Sequence, residues 1–144
     1  MDQKFIHSKK IGKKTRVWPY TIICEGAKIG DHCNICSFSF IENDVTIGNN
    51  VTIKTHNSIW DGITIEDNVF VGQSVIFCND RYPEANNIKK KKFSPERILI
   101  KSNSIIGSGT IILPGVTIGS SVIIGAGSLI TKNVLDNEKI IGKY

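Results

Sequence analysis

Val45-Thr46-Ile47-Gly48-Asn49-Asn50-Val51-Thr52-Ile53-Lys54 carries the pattern that decides the fold. A large β-branched residue recurs six positions apart, at Ile47 and Ile53, and a smaller apolar one stands two places before each, at Val45 and Val51. Extended outward by sixes, the column runs back through Ile41, Ile35, Ile29, Ile23, Val17, Ile11 and Phe5, and forward through Ile59, Ile65, Val71 and Phe77. In a chain that is 40% hydrophobic, thirteen successive apolar residues arise by chance with odds on the order of 10⁻⁵. The repeat is therefore a constraint on structure.

It stops after Phe77, resumes at Ile100 and continues through Ile106, Ile112, Ile118, Ile124 and Ile130. These 19 positions hold 15 Ile, 2 Val and 2 Phe, residues that favour extended backbone. A strict six fits neither the 3.6-residue helix nor a plain alternating hairpin. Short strands separated by regular corners do fit. Three six-residue sides make an 18-residue triangular coil, and stacked coils pair by parallel ladders about 4.8 Å apart. Gly follows the large residue at Gly12, Gly30, Gly48, Gly72, Gly107, Gly119 and Gly125, where it is expected to relax a tight corner. The reading is an all-β parallel helix, one domain over 1–144, with a short non-repeat tail at 135–144. Between Phe77 and Ile100 the step is 23 residues instead of 6, so 17 extra residues, at about 81–97, form one long inserted loop. That loop carries Lys89, Lys90, Lys91 and Lys92, read either as a solvated tip or as an attractor of phosphates.

Composition agrees. Leu occurs only at Leu99, Leu113, Leu129 and Leu135 and aromatics make up 8%, which excludes a helical bundle. The apolar content excludes a disordered chain, and no apolar run approaches a membrane span. Met1-Asp2-Gln3-Lys4 lacks the layout of a signal peptide, so a cytoplasmic location and no membrane partner are expected. Cys33 and Cys36 form a Cys-x-x-Cys, but the repeat points Cys33 inward and Cys36 outward, against a metal or redox pair. His7, His32 and His56 are too scattered for a three-histidine metal site, and no metal is expected. The net charge of +5 suits anionic ligands. Few exposed aromatics are expected and the Lys run is confined to one loop, so nucleic acid ranks last as a partner.

Residues 18 apart become vertical neighbours in such a coil. One column reads Glu25, Asn43, Asp61, Asn79, and its neighbours bring Trp60 and Asp80 to the same corner, where the loop departs. Asn and Asp are also ordinary corner residues, and both readings stand. His56 falls in the column Tyr20, Phe38, His56, Ser74, one corner away.

The hexapeptide spacing over residues 5–134 resembles that of the hexapeptide-repeat acyltransferases. The resemblance implies a left-handed parallel β-helix, acetyl-CoA as acyl donor, and a homotrimer with sites between subunits. A narrower resemblance rests on Ser58-Ile59-Trp60-Asp61-Gly62-Ile63-Thr64-Ile65-Glu66-Asp67 and on Val69 to Pro83, with Asn79-Asp80-Arg81-Tyr82-Pro83 at its end. These look like the branch that N-acylates 3-amino sugars linked to dTDP or UDP, in the making of surface polysaccharides such as lipopolysaccharide. It implies that Asn79, Asp61 and Asp80 serve catalysis, that Trp60, Arg81, Tyr82 and His56 line the acceptor pocket, and that Gly107, Ser108, Gly125, Ala126 and Lys132 hold the coenzyme.

Galactoside and maltose O-acetyltransferases share the fold but place a catalytic His where this chain reads Arg81-Tyr82-Pro83. A hydroxyl must lose its proton to attack, whereas a neutral amine already offers a lone pair, so the missing His favours an amine acceptor. Two rival readings remain: a sugar O-acetyltransferase with His56 as base, and a non-catalytic hexapeptide-repeat scaffold.

Overall fold

A computed structural model describes residues 5–85 and 93–143. The chain winds as a left-handed β-helix of parallel strands, most of them two residues long. Its three faces each form a parallel sheet. Face 1 stacks Arg16–Val17, Asn34–Ile35, Thr52–Ile53, Phe70–Val71, Ile105–Ile106, Ile123–Ile124 and Lys139–Ile140. Face 2 stacks Ile22–Ile23, Phe40–Ile41, Ser58–Ile59, Ile76–Phe77, Ile111–Ile112 and Leu129–Ile130, and face 3 stacks Lys28–Ile29, Thr46–Ile47, Ile63–Ile65, Ile98–Ile100 and Thr117–Ile118.

The registers reproduce the 18-residue coil: Val17 pairs Ile35, Ile35 pairs Ile53, and Ile41 pairs Ile59. Across the insertion they jump. Val71 pairs Ile106 and Ile65 pairs Ile100, each 35 apart, which is one coil plus the 17 residues counted from the sequence. The insertion therefore leaves at the edge between faces 2 and 3 and returns to the same edge without disturbing the stack. The Lys89–Lys92 run lies outside the described residues.

The interior is a column of branched side chains. Apart from Phe5 and Ile11 in the first coil, every large residue on the six-residue schedule is buried. From Thr21 onward the residues two places earlier, among them Ala27, Cys33, Ser39, Val45, Thr110 and Ser128, are buried as well. Two departures mark the level where the loop leaves. Ile63 and Ile98 occupy small-residue positions, pair with one another and lengthen their strands to three residues. Asn57 is fully buried, and it donates to the carbonyls of Lys54 and Gly72 and accepts from the Val75 N–H, so each polar atom of its amide is partnered.

Two expectations are corrected. The Gly after each large residue does not adopt a left-handed corner; that conformation falls two residues later, at Tyr20, His32, Phe38, Asn50, His56, Asn68 and Ser74. Gly48 is required for close approach instead, because a Cβ there would run into the Asp67 carboxylate and its backbone N. The tail, although off the six-residue schedule, stays on the prism: Lys139–Ile140 adds a seventh strand to face 1 at a register of 16. Shortening the coil by two residues preserves the ladder while breaking the sequence period.

Candidate functional site

Corner side chains hold successive coils together. At the edge between faces 3 and 1, Asp31 Oδ1 accepts from the Lys13 N–H, Asn49 Oδ1 from the Asp31 N–H, and Asp67 Oδ1 from the Asn49 N–H. The same ladder runs up the edge between faces 2 and 3. Asn43 Oδ1 takes the Gly26 N–H at 3.0 Å and Asp61 Oδ1 takes the Asp44 N–H at 2.7 Å, while the Asp61 N–H donates to Glu42 Oε2 at 2.7 Å. One carboxylate oxygen of Asp61 is therefore engaged in the scaffold, and Oδ2 remains for a ligand.

Asn79 sits one rung higher at the base of the loop. Its Nδ2 donates to the Asp61 carbonyl at 3.0 Å, and its own carbonyl accepts the Glu96 N–H at 2.9 Å from the returning leg. Main chain and side chain are both pinned, which orients Oδ1 as a half-exposed acceptor. Asp80 follows, with Oδ1 capping the Tyr82 N–H at 3.0 Å in an Asx turn, and the Tyr82 ring stands open to solvent.

The returning leg contributes residues that the repeat could not reveal. Arg81 reaches Glu96 through two nitrogens, at 2.9 Å from Nη2 and 3.2 Å from Nε, and Nη2 also donates to the Pro114 carbonyl of the next coil at 2.7 Å. Arg97 pairs with Asp44 at 2.8 Å. Gly62, at φ +87°, admits Pro95, whose ring atoms lie where a Cβ would otherwise sit. Both legs of the loop are thus clasped to three coils. The guanidinium of Arg81, expected to face substrate, is spent largely on this clasp.

Trp60 is half-buried against Phe40 at 5.7 Å between ring centres. With His56, Ser58, Ser74, Ile76 and others it lines an open groove of about 300 Å³ on the outer surface of face 2. His56 stands at the far side of that groove, on the edge between faces 1 and 2. It completes a ring stack, Tyr20 on Phe38 at 5.3 Å and Phe38 on His56 at 5.2 Å, and its Nδ1 contacts Thr55 Oγ1 at 2.9 Å. Burial pushes the Cys78 thiol above its ordinary range, and burial, then the Glu42 and Asp61 carboxylates, do the same for Cys24. Neither sulfur beside this corner is poised as a thiolate nucleophile.

The coenzyme candidates fall into two groups. Gly107, Ser108, Gly125 and Ala126 are neighbours on the edge between faces 1 and 2, two and three rungs above His56; a Cβ on Gly107 would strike the Ala126 backbone N. Open space surrounds Gly109 and Gly127 on that edge, a bare strip along which an extended chain can lie. Lys132 is on the other edge, in line with Pro114. The structure therefore brings together Trp60, Asp61, Asn79, Asp80, Arg81 and Tyr82, gathers His56 with the glycine strip, and separates the two groups by the width of face 2.

Residues 8–43 and 97–132 match the bacterial transferase hexapeptide family (six repeats). Over 81 residues the chain is 32% identical to a galactoside O-acetyltransferase of Lactococcus lactis subsp. lactis strain IL1403, a match over 51% of this chain and 39% of that protein. A variant of AntD, an N-acyltransferase from Bacillus cereus solved with dTDP and coenzyme A, superposes with a TM-score of 0.81 at 23% identity, over 92% of this chain and 78% of that one. A variant of GDP-perosamine N-acetyltransferase from Caulobacter crescentus, solved with CoA and GDP-perosamine, gives 0.72 at 18% identity, over 92% and 54%. At those identities the two structures speak to the fold. The chain spans about two fifths of the curated relative and just over half of the Caulobacter protein. Since the two matched blocks make up half of its length, the chain belongs to the bacterial transferase hexapeptide family.

Proposed function

We propose that the chain transfers an acetyl group from acetyl-CoA to the amino group of a nucleotide-linked deoxyamino sugar, of the 3-amino class carried on dTDP or UDP. The observation that carries this reading is the pinned Asn79, whose Oδ1 is held out as an acceptor beside Asp80 and the remaining oxygen of Asp61. An amine has N–H bonds to give to such acceptors. Oriented this way, its lone pair points at the thioester carbonyl, and orientation supplies much of the rate because the thioester is already activated. The C–N bond forms as the C–S bond breaks; the nitrogen's surplus proton passes to Asp61 or Asp80, or to the departing thiolate. Backbone N–H groups of the glycine-bearing edge are suited to the developing oxyanion.

The separation of the two candidate groups supports a further part of the reading: a homotrimer in which the loop edge of one copy meets the glycine strip of the next, so that sugar and coenzyme sites face each other between subunits. A cytoplasmic setting, where acetyl-CoA and sugar nucleotides are found, is part of the same proposal.

Asn79→Ala is the direct test. Turnover with the amino sugar is expected to fall about 100-fold with the fold intact by thermal melting; wild-type turnover in this variant rejects the assignment. The curated O-acetyltransferase relative favours a second reading, in which His56 is the base toward a sugar hydroxyl. Under it, His56→Ala abolishes transfer to a hydroxyl acceptor; under the amine reading His56→Ala leaves amine acetylation within a few-fold.

A further inference from the structure

The net charge is not where the candidate site is. Residues 5–32 hold six cationic side chains against two carboxylates, +4 of the chain's +5. One of those two, Asp31, is turned to the Lys13 N–H within the corner ladder. The rest of the chain, with the loop lysines included, is close to neutral.

The fold gathers these cations in its first two coils. Lys10 lies on the outer surface of face 3 directly below Lys28, since Ile11 bridges Ile29 and the Ile29 N–H donates to the Lys10 carbonyl. Lys13 and Lys14 turn the edge between faces 3 and 1, and Arg16 projects from face 1; all five side chains are exposed. At the next edge the band ends in aromatics. Arg16 lies 4.0 Å over the ring of Trp18, whose Nε1 donates to Asn34 Oδ1 at 2.8 Å, leaving the indole oriented and 37% exposed. Tyr20 beside it is 72% exposed. Higher up the same edge, the positions that stack on Lys13 and Lys14 are Asn49, Asn50, Asp67 and Asn68.

Against the expectation of no membrane partner, we infer that this N-terminal girdle docks on an anionic phospholipid surface. Several lysines with adjoining exposed Trp and Tyr match a headgroup region, where phosphates attract the ammonium groups and amphipathic rings sit at the interface. Shape decides against a nucleic-acid strand, which calls for cations and stacking rings in line along a groove. Here the cations spread round the prism within two adjacent coils, from face 3 across the edge to face 1, as a compact patch and not a line. The inference uses no residue assigned to acyl transfer, although Trp18 and Tyr20 stand lower on the same edge as His56 and the glycine strip.

The test is co-sedimentation of the full chain with vesicles of phosphatidylcholine alone or with about a third phosphatidylglycerol. Binding to the anionic vesicles only, lost as salt rises to about 0.5 M because exposed charges are screened, is expected. Lys13→Glu, Lys14→Glu and Arg16→Glu together are expected to lower the bound fraction at least tenfold, and the triple variant's melting is checked alongside. Reversal at Lys139 and Lys143, at the opposite end, serves as the control and is expected to change it less than twofold. Absence of binding at low salt, equal binding to neutral vesicles, equal loss in the control variant, or displacement from the vesicles by a single-stranded oligonucleotide at matched phosphate concentration overturns the inference.

Discussion

Asp61 does two jobs that one substitution can separate. Its Oδ1 accepts the Asp44 N–H just as Asn43 accepts the Gly26 N–H one coil below, so an amide at position 61 keeps the ladder and removes the charge. Asp61→Asn is therefore expected to melt within about 2 °C of wild type, a shift of a few tenths of a kcal/mol, while acetyl transfer drops at least tenfold if the carboxylate assists the amine. Asp61→Ala loses both. Asn57 makes the opposite case, a buried polar residue with no part in the site. Asn57→Ala strands the Val75 N–H and two carbonyls, and a loss of about 2–4 kcal/mol is expected in urea unfolding. The thiols of Cys24 and Cys78, pushed up chiefly by burial, carry less thiolate at a given pH than a free cysteine. Their alkylation near pH 8 is expected to be slower than that of a free thiol and to rise with pH over a higher range, as mass spectrometry of the labelled protein can show.

At the level of elements, the inserted loop and the coil stack are separable. The register jump of 35 across the insertion is one 18-residue coil plus 17, so joining Asp80 to Ile98 restores an uninterrupted period. Deletion of residues 81–97 is expected to leave a cooperatively melting β-helix by circular dichroism, with acetyl transfer abolished. Gly48→Ala should do the reverse and attack the stack itself: its Cβ collides with the Asp67 backbone of the next coil, and a loss of about 1–3 kcal/mol is expected from such crowding. The strands, the coil length and the loop's size were all legible in the sequence because each is a consequence of a strict period. The clasp was not. Glu96, Arg97 and Pro95 return from a segment with no periodicity, and their partners Arg81, Asp44 and Gly62 are fixed by three-dimensional closure alone. The shortened final coil escaped for the same reason, as its register of 16 breaks the pattern while keeping the ladder.

For the whole molecule, the structure redistributes what composition had lumped together. The +5 charge suits anionic ligands in general; most of it belongs to the first two coils. The column arithmetic brought Trp60, Asp61, Asn79 and Asp80 together and assigned His56 to the neighbouring edge; with the loop excised it also continues the Asn79 column through Pro114 to Lys132, away from the glycine strip, and the registers agree. That the sugar and coenzyme candidates lie a face apart is what the proposed trimer accounts for, by setting the loop edge of one copy against the glycine strip of the next. The account is tested most directly by pairing each dTDP- or UDP-linked 3-amino sugar with its 3-hydroxy counterpart and measuring free thiol released from acetyl-CoA, with the product's mass determined. Thiol release matched by amide formation with an amino sugar, and at least tenfold less with the hydroxyl partner, is the predicted result; ester formation with the hydroxyl sugars while every amine stays unmodified contradicts it.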